Sequence, residues 1–200
     1  MAAPDRQTPL GLRDAAMIGG IVANNASGMC CGTAENSYQT LASMRLVLAD
    51  GTLVDTGDAD SLARFRNSHA ELLEGLKGLA DAVRADAALA ERIRRKYRLK
   101  NTTGYGLNAL LDFDDPVEIL QHLMVGSEGT LGCMTEITYH TVVEHPHKAT
   151  AMVFFPDMPS CCQAVLALKP LPVSAVELMD RACLRSIEDL DGLPEFVRSL

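Results

Sequence analysis

The chain has 200 residues, enough for one large domain or for one domain and part of a second. Its 48% hydrophobic content suits a buried core, while aromatics at 4% and the lack of Trp leave the packing to aliphatic side chains and Met. A formal charge of −8 argues against a nucleic-acid backbone as the main ligand, and no apolar run reaches the ~18–20 residues that span a bilayer.

The opening stretch, MAAPDRQTPLGLRD, has no basic segment followed by an apolar one, so it does not read as a signal peptide. The cytoplasm, or the inner membrane face through a partner, is the expected location. Next comes Gly19-Gly20-Ile21-Val22-Ala23-Asn24-Asn25-Ala26-Ser27-Gly28. It lacks the G-x-G-x-x-G of a dinucleotide fold and the Gly-Lys-Ser/Thr of a P-loop. The glycines would open a short helix with Ile21, Val22 and Ala26 on its apolar face and Asn24, Asn25 and Ser27 on the other. Bare glycines at a helix start suit an anion or an oxygen-rich ligand. They equally suit tight helix–sheet packing or a turn. The Asn pair favours a ligand, because Asn inside a helix needs a partner for its side chain.

The six cysteines include the adjacent pairs Cys30-Cys31 and Cys161-Cys162. Vicinal cysteines bridge only with strain, and no C-x-x-C spacing points to zinc or an iron–sulfur cluster. They are expected to be free thiols, mostly buried.

Further along, Asp50-Gly51 between β-favouring runs predicts a hairpin with strands over 43–49 and 52–55. Leu72, Leu73, Leu76, Leu79, Val83 and Ala87 recur at helical spacing and predict one amphipathic helix over 68–90, with Ser68 and Glu71 as a capping box. The basic block Arg92 to Lys100 reads as a solvated helix end rather than a nucleic-acid patch, with phosphate contact as a further alternative. Asp115-Pro116 starts another helix, Ile119, Leu120, Leu123 and Met124 on its apolar face and His122 on its surface. Gly126-Ser-Glu-Gly-Thr-Leu-Gly132 stops it, and a strand follows over 133–143. This second glycine stretch is a helix stop and turn, or a backbone that passes close to a flat ligand with Glu128 bracing it. Around Pro146 a boundary is expected. Beyond it the pattern predicts strand 149–155, helix 160–168, strand 173–178 and helix 180–189, the opening of an α+β domain. His140, His145 and His147 lack a third ligand, so no metal is expected.

Taken together, IGGIVANNASGMCCGTAENSY, MRLVLADGTLVDT, KNTTGYGLNAL and GSEGTLG, in that order from Ile18 to Gly132, resemble the flavoenzymes with a vanillyl-alcohol-oxidase (PCMH-type) FAD domain. The branch is that of D-lactate, glycolate and D-2-hydroxyglutarate dehydrogenases. The extra residues between Tyr105 and Gly126 resemble the long bacterial members fused to an iron–sulfur half. The resemblance implies an α+β fold: residues 1–145 as the second subdomain of the FAD domain, an antiparallel sheet flanked by helices, and 146–200 as the beginning of the substrate (cap) domain. It implies FAD as cofactor, a small 2-hydroxy acid as substrate, oxidation to the 2-oxo acid by hydride transfer to the flavin, and a redox partner or fused iron–sulfur domain. Gly19, Gly20, Ala23, Asn24, Asn25, Ser27, Gly28 and Gly32 would line the cofactor, as would Glu128, Gly129, Thr130 and Leu131, with Ile137 as a packing contact. Lys100, Asn101 and Tyr105 are the candidates on the active-site side. Two parts of the family pattern are missing: a GGGTS-type pyrophosphate loop ahead of Pro9, and the substrate-binding Arg and His/Glu cluster. The chain therefore reads as a middle piece, expected to bind FAD weakly or not at all and to be inactive alone. The alternative is a non-catalytic α+β interaction module that keeps the fold without flavin.

Overall fold

The computed structural model describes residues 17–28, 31–143 and 146–186. The chain splits into two units, Met1–Glu144 and His145–Leu200. The class is α+β, as expected, with a small antiparallel sheet in the first unit. In that unit, α1 (Ile18–Ala23) and α2 (Ser37–Thr40) precede β1 (Leu41–Val47) and β2 (Leu53–Asp55). Then come α3 (Ala59–Ser68), α4 (Ala70–Ala85), α5 (Ala87–Tyr97), α6 (Ala109–Asp112), α7 (Pro116–Met124) and β3 (Cys133–Tyr139).

The strand order is β2-β1-β3, with β1 central. Alternation along β1 sends Met44 and Leu46 into the core with Val22, Val54, Ile119 and Met124. Arg45, between them, points out and meets the residues directly opposite on both neighbours, Asp55 at 3.0 Å and Glu136 at 2.6 Å. These pairs are partly or wholly exposed, so they favour this register more than they add stability. The predicted hairpin is present, closed by Leu48 N–H to the Thr52 carbonyl at 2.9 Å. Only Gly51 takes a positive φ, +87°. Asp50 instead accepts from the amide and hydroxyl of Thr52, at 2.9 and 3.0 Å, which makes a three-residue loop of 49–51. β3 ends at Tyr139 rather than at 143, because Tyr139 already lies opposite Leu41, where β1 begins.

The single helix expected over 68–90 is two helices. Asp86 leaves the helical region, and its carboxylate accepts from Leu89 N–H at 3.0 Å, so it caps α5 instead of continuing α4. Nor does the capping box form. Ser68 ends α3, and its hydroxyl lies 3.4 Å from the Phe65 carbonyl and 2.8 Å from His69 Nδ1. The helix before it, α3, escaped the pattern reading and is started by Asp58, which accepts from Ser61 N–H at 2.9 Å. By contrast α7 begins as predicted, with Asp115 accepting from Val117 N–H at 3.0 Å and Pro116 in the first turn. His122 is not on its surface. α4, α6 and β1 pack around α7, and His122 is only 4% exposed, its ring 4.0 Å from Phe113 and 4.8 Å from Tyr38.

In the second unit, α8 (Met158–Leu168) is capped by Asp157, which accepts from Ser160 N–H at 2.8 Å, and α9 (Arg181–Arg185) follows. The expected strands over 149–155 and 173–178 do not form, since neither segment has a ladder partner among the described residues. Residues 187–189 of the last predicted helix lie outside the described residues. Among the described residues the cysteines are free but not buried: Cys133, Cys162 and Cys183 are exposed, and Cys31 and Cys161 are half-buried, while Cys30 lies outside the described residues. Cys133 is exposed on β3, an edge strand of the sheet.

Candidate functional site

The first glycine stretch folds as a helix and its C-terminal cap. Gly19 and Gly20 lie within α1, and the helix stops at Asn24. Asn25 takes the left-handed conformation, φ +51°. Its N–H donates to the Val22 carbonyl at 2.9 Å, and Ala26 N–H donates to the Ile21 carbonyl at 2.9 Å. This is a Schellman cap with Asn in the position glycine usually takes. Asn25 therefore has a structural job that is legible in the sequence: Asn tolerates positive φ better than any other residue with a side chain except Asp and His. Ala26 and Ser27 lie beyond the helix.

The second glycine stretch closes onto that cap. Gly126 N–H donates to Val22 O at 3.0 Å as a second donor beside Asn25, and Glu128 N–H donates to Ala23 O at 2.9 Å, a carbonyl that the end of α1 leaves open. Glu128 and Gly129 have φ of +54° and +76°, the two consecutive positive values of a type I′ turn. The Glu128 carboxylate accepts from Asn24 Nδ2 at 2.8 Å, which holds a residue without glycine's freedom in that conformation. Gly126 favours glycine, with φ +84° and a Cβ position 3.3 Å from the Gly104 carbonyl.

The segment around Lys100 braces both stretches. Lys100 Nζ donates to the Ser27 carbonyl at 3.0 Å, and Asn25 Nδ2 donates to the Asn101 carbonyl at 3.2 Å. Thr130 gives its hydroxyl hydrogen to the Ser127 carbonyl at 2.6 Å, so in its 2.8 Å contact with Tyr105 the tyrosine must donate. Tyr97, whose phenol burial pushes up, donates to the Tyr105 carbonyl at 2.6 Å and accepts from Leu107 N–H at 3.0 Å. A shallow polar cleft opens beside this junction, lined by Asn25, Asn36, Tyr97, Asn101 and Asn108.

Of the residues singled out in the sequence, the fold thus gathers Ala23, Asn24, Asn25, Ser27, Glu128, Thr130, Lys100, Asn101 and Tyr105. Gly19 lies against β3, where a Cβ would stand 2.8 Å from the Met134 carbonyl, and Leu131 and Ile137 pack on the core. Gly28 is buried. A Cβ at Gly20, Gly32 or Gly129 would meet nothing within 4 Å. Val22, Gly104 and Ser127 belong to the junction as well, and only their contacts reveal it. Among the described residues, no three His, Cys, Asp or Glu side chains are placed to hold a metal ion.

Known families match at both ends of the chain. Residues 5–57 match the FAD binding domain, and residues 144–199 match the C-terminal domain of FAD linked oxidases. FAD is the cofactor they indicate. The chain is 26% identical over 188 residues to a probable D-2-hydroxyglutarate dehydrogenase, mitochondrial, of Oryza sativa subsp. indica, covering 92% of this chain and 24% of that protein. It is 26% identical over 174 residues to D-lactate dehydrogenase [cytochrome] 1, mitochondrial, of Saccharomyces cerevisiae, with coverage of 86% and 21%. A D-lactate dehydrogenase of Archaeoglobus fulgidus is 25% identical over 181 residues, with coverage of 90% and 29%. The relatives are named as dehydrogenases, hence oxidoreductases, and the chain spans about a quarter of their length. No solved structure matches. The first glycine stretch lies inside the FAD-binding match; the second lies outside both matches.

The junction fits such a cofactor on two counts. Asn25 Oδ1 and Ser127 Oγ are buried polar atoms with no partner among the described residues. A buried polar atom left unpaired costs about 1–3 kcal/mol, so a ligand that reaches it gains by pairing it. Gly20 and Gly129 also leave the backbone bare, with open space that would admit a large planar or phosphate-bearing group.

Proposed function

We propose that the chain is the FAD-binding part of a flavin-dependent 2-hydroxy-acid dehydrogenase, of the D-2-hydroxyglutarate or D-lactate type. In this reading residues 1–145 form the second subdomain of a PCMH-type FAD domain, and 146–200 form the start of the substrate domain. Bound FAD would supply the two-electron acceptor for converting a 2-hydroxy acid to a 2-oxo acid. The chain's own residues would bind and orient it: Asn25 and Ser127 through their unpaired polar atoms, Gly20, Gly32 and Gly129 through bare backbone, and Asn24 with Glu128 by keeping the two stretches closed. Lys100, Asn101 and Tyr105 act as positioning residues, since each already holds one of the two stretches. The cytoplasm is the compartment in this proposal, although the rice and yeast relatives carry mitochondrial in their names.

The observation that carries the reading is the joining of two glycine-bearing stretches, about a hundred residues apart, around unpaired buried acceptors. A second reading, a non-catalytic α+β interaction module, draws on the same three residues, because their partners are structural. Titrating FAD while following the melting temperature separates the two. The expected result is weak binding, seen as a small rise in melting temperature at millimolar FAD and lost in Gly20→Leu, an exposed helical position. No rise at that concentration would favour the interaction module over the flavin reading.

A further inference from the structure

The cationic charge of this acidic chain is concentrated on one helix, α5, and the three residues that follow it. Six of its 18 Lys and Arg residues, Arg92, Arg94, Arg95, Lys96, Arg98 and Lys100, fall within nine positions. α5 buries Ala90 and Ile93 and half-buries Tyr97, so the cations fan over its outer side, all exposed. Among the described residues, a single carboxylate answers them: Glu91, 3.6 Å from Arg98. Helix-dipole complementation accounts for cations in the last turn, but not for Arg92 or for a whole face of one sign.

We propose that the outer face of α5 is a docking surface for an acidic electron-carrier protein. The carrier's role rests on the flavoenzyme reading above. Each 2-hydroxy acid oxidised to a 2-oxo acid releases two electrons and two protons. Two one-electron carriers of the iron–sulfur class would take the electrons, and solvent the protons. The location suits this role, because the end of α5 is bonded directly to the candidate cofactor junction. Lys100 reaches Ser27, and Tyr97 reaches Tyr105, which donates to Thr130. Four of the six cations are Arg, whose planar fork pairs with carboxylates in two-bond fashion and which is enriched at protein interfaces. Leu99, 72% exposed, and Tyr105, 41% exposed, add apolar surface beside the charge. Small, charge-dominated interfaces are typical of transient electron-transfer pairs. A membrane is a poorer fit, because an interfacial helix must turn its apolar side to lipid and α5 turns that side to the core. Nucleic acid is poorer too, since the helix's aromatic, Tyr97, faces inward and offers no stacking platform.

The test uses the full 200-residue chain. A plant-type [2Fe–2S] ferredoxin, an acidic one-electron carrier, is titrated against it at low and high salt. Binding is expected at low salt. Arg92→Glu/Arg95→Glu should weaken it by about tenfold or more, while Arg92→Lys/Arg95→Lys should retain most of it. Both sites are exposed, and circular dichroism checks that the variants fold. Absence of ferredoxin binding, equal binding by the Glu variant, or tighter binding of phosphatidylglycerol vesicles or duplex DNA would each overturn the proposal. None of these measurements needs flavin. Ferredoxin binding by a chain that ignores FAD would count against the flavin reading and not against the surface.

Discussion

The two units carry similar sequence patterns and reach different ends. In the first, the β-favouring run Leu41–Val47 becomes the centre of a sheet, with Leu46 fully buried between two partners. In the second, Ala149 to Phe155 is as rich in such residues but stays unpaired, and Met152, Val153, Phe154 and Phe155 are exposed. Among the described residues, every side chain of the buried apolar core lies between Val22 and Met134, none of it in the second unit. The contrast teaches that a strand is a relation between segments. Propensity makes a segment able to pair, and only a neighbour in register makes it a strand.

The sharpest way to break this comparison is to cut the same kind of side chain in each unit. Leu46→Ala should lower stability by about 2–5 kcal/mol, as large-to-small changes do in packed cores. Val153→Ala should stay within about 0.5 kcal/mol. Urea unfolding checks both, and equal costs would show that the second unit has a core of its own. Next in size is Gly132→Ala, whose Cβ would stand 2.8 Å from the Val47 carbonyl and 3.1 Å from Met124 Cε. Crowding against fixed backbone should cost about 1–3 kcal/mol. Gly20→Ala, in a helix with open space, should instead stabilise by about 0.5–1 kcal/mol. Should both glycines tolerate alanine equally, close packing of the 126–132 loop on β1 would be ruled out.

A smaller pair concerns the helix caps. Asp86→Ala should cost about 1 kcal/mol, since its carboxylate starts α5. Ser68→Ala should change stability by less than about 0.5 kcal/mol, because the expected capping box is not made. A large loss at Ser68 would restore the box.

The last prediction is a slope. Burial holds the His122 pKa below the usual imidazole value, and Nδ1, 2.8 Å from the Glu118 carbonyl, must carry the hydrogen of the neutral ring. Below about pH 6.5 the unfolded chain takes up a proton that the folded ring refuses. Stability is therefore full above that pH and falls as the pH drops towards the lowered folded value. Melting temperatures across this window should fall less steeply in His122→Asn than in the parent, and an unchanged slope would assign the effect to other groups.

Much of the candidate site was legible one stretch at a time. Gly126, Glu128 and Gly129 stood out by composition, and so did the Asn pair. What could not be read was their meeting. Asn24 and Glu128 are 104 positions apart, and their hydrogen bond exists only because α7 delivers the loop to the end of α1. The misplacement of His122 has the same origin. Its spacing on α7 marks a surface position, yet α7 is covered on several sides and the ring stacks on Phe113.

By itself, then, the sequence determined the local events. Asp-Gly turned the hairpin, Asp115-Pro116 opened α7, and the cations of α5 gathered at a helix end, because caps, turns and periodicity act over a few residues. Tertiary structure alone decided which β-favouring runs paired, which glycines were packed and which stood bare, and which polar atoms were buried without partners. Those outcomes depend on what the rest of the chain brings within hydrogen-bond or van der Waals distance, and local propensity carries no term for that.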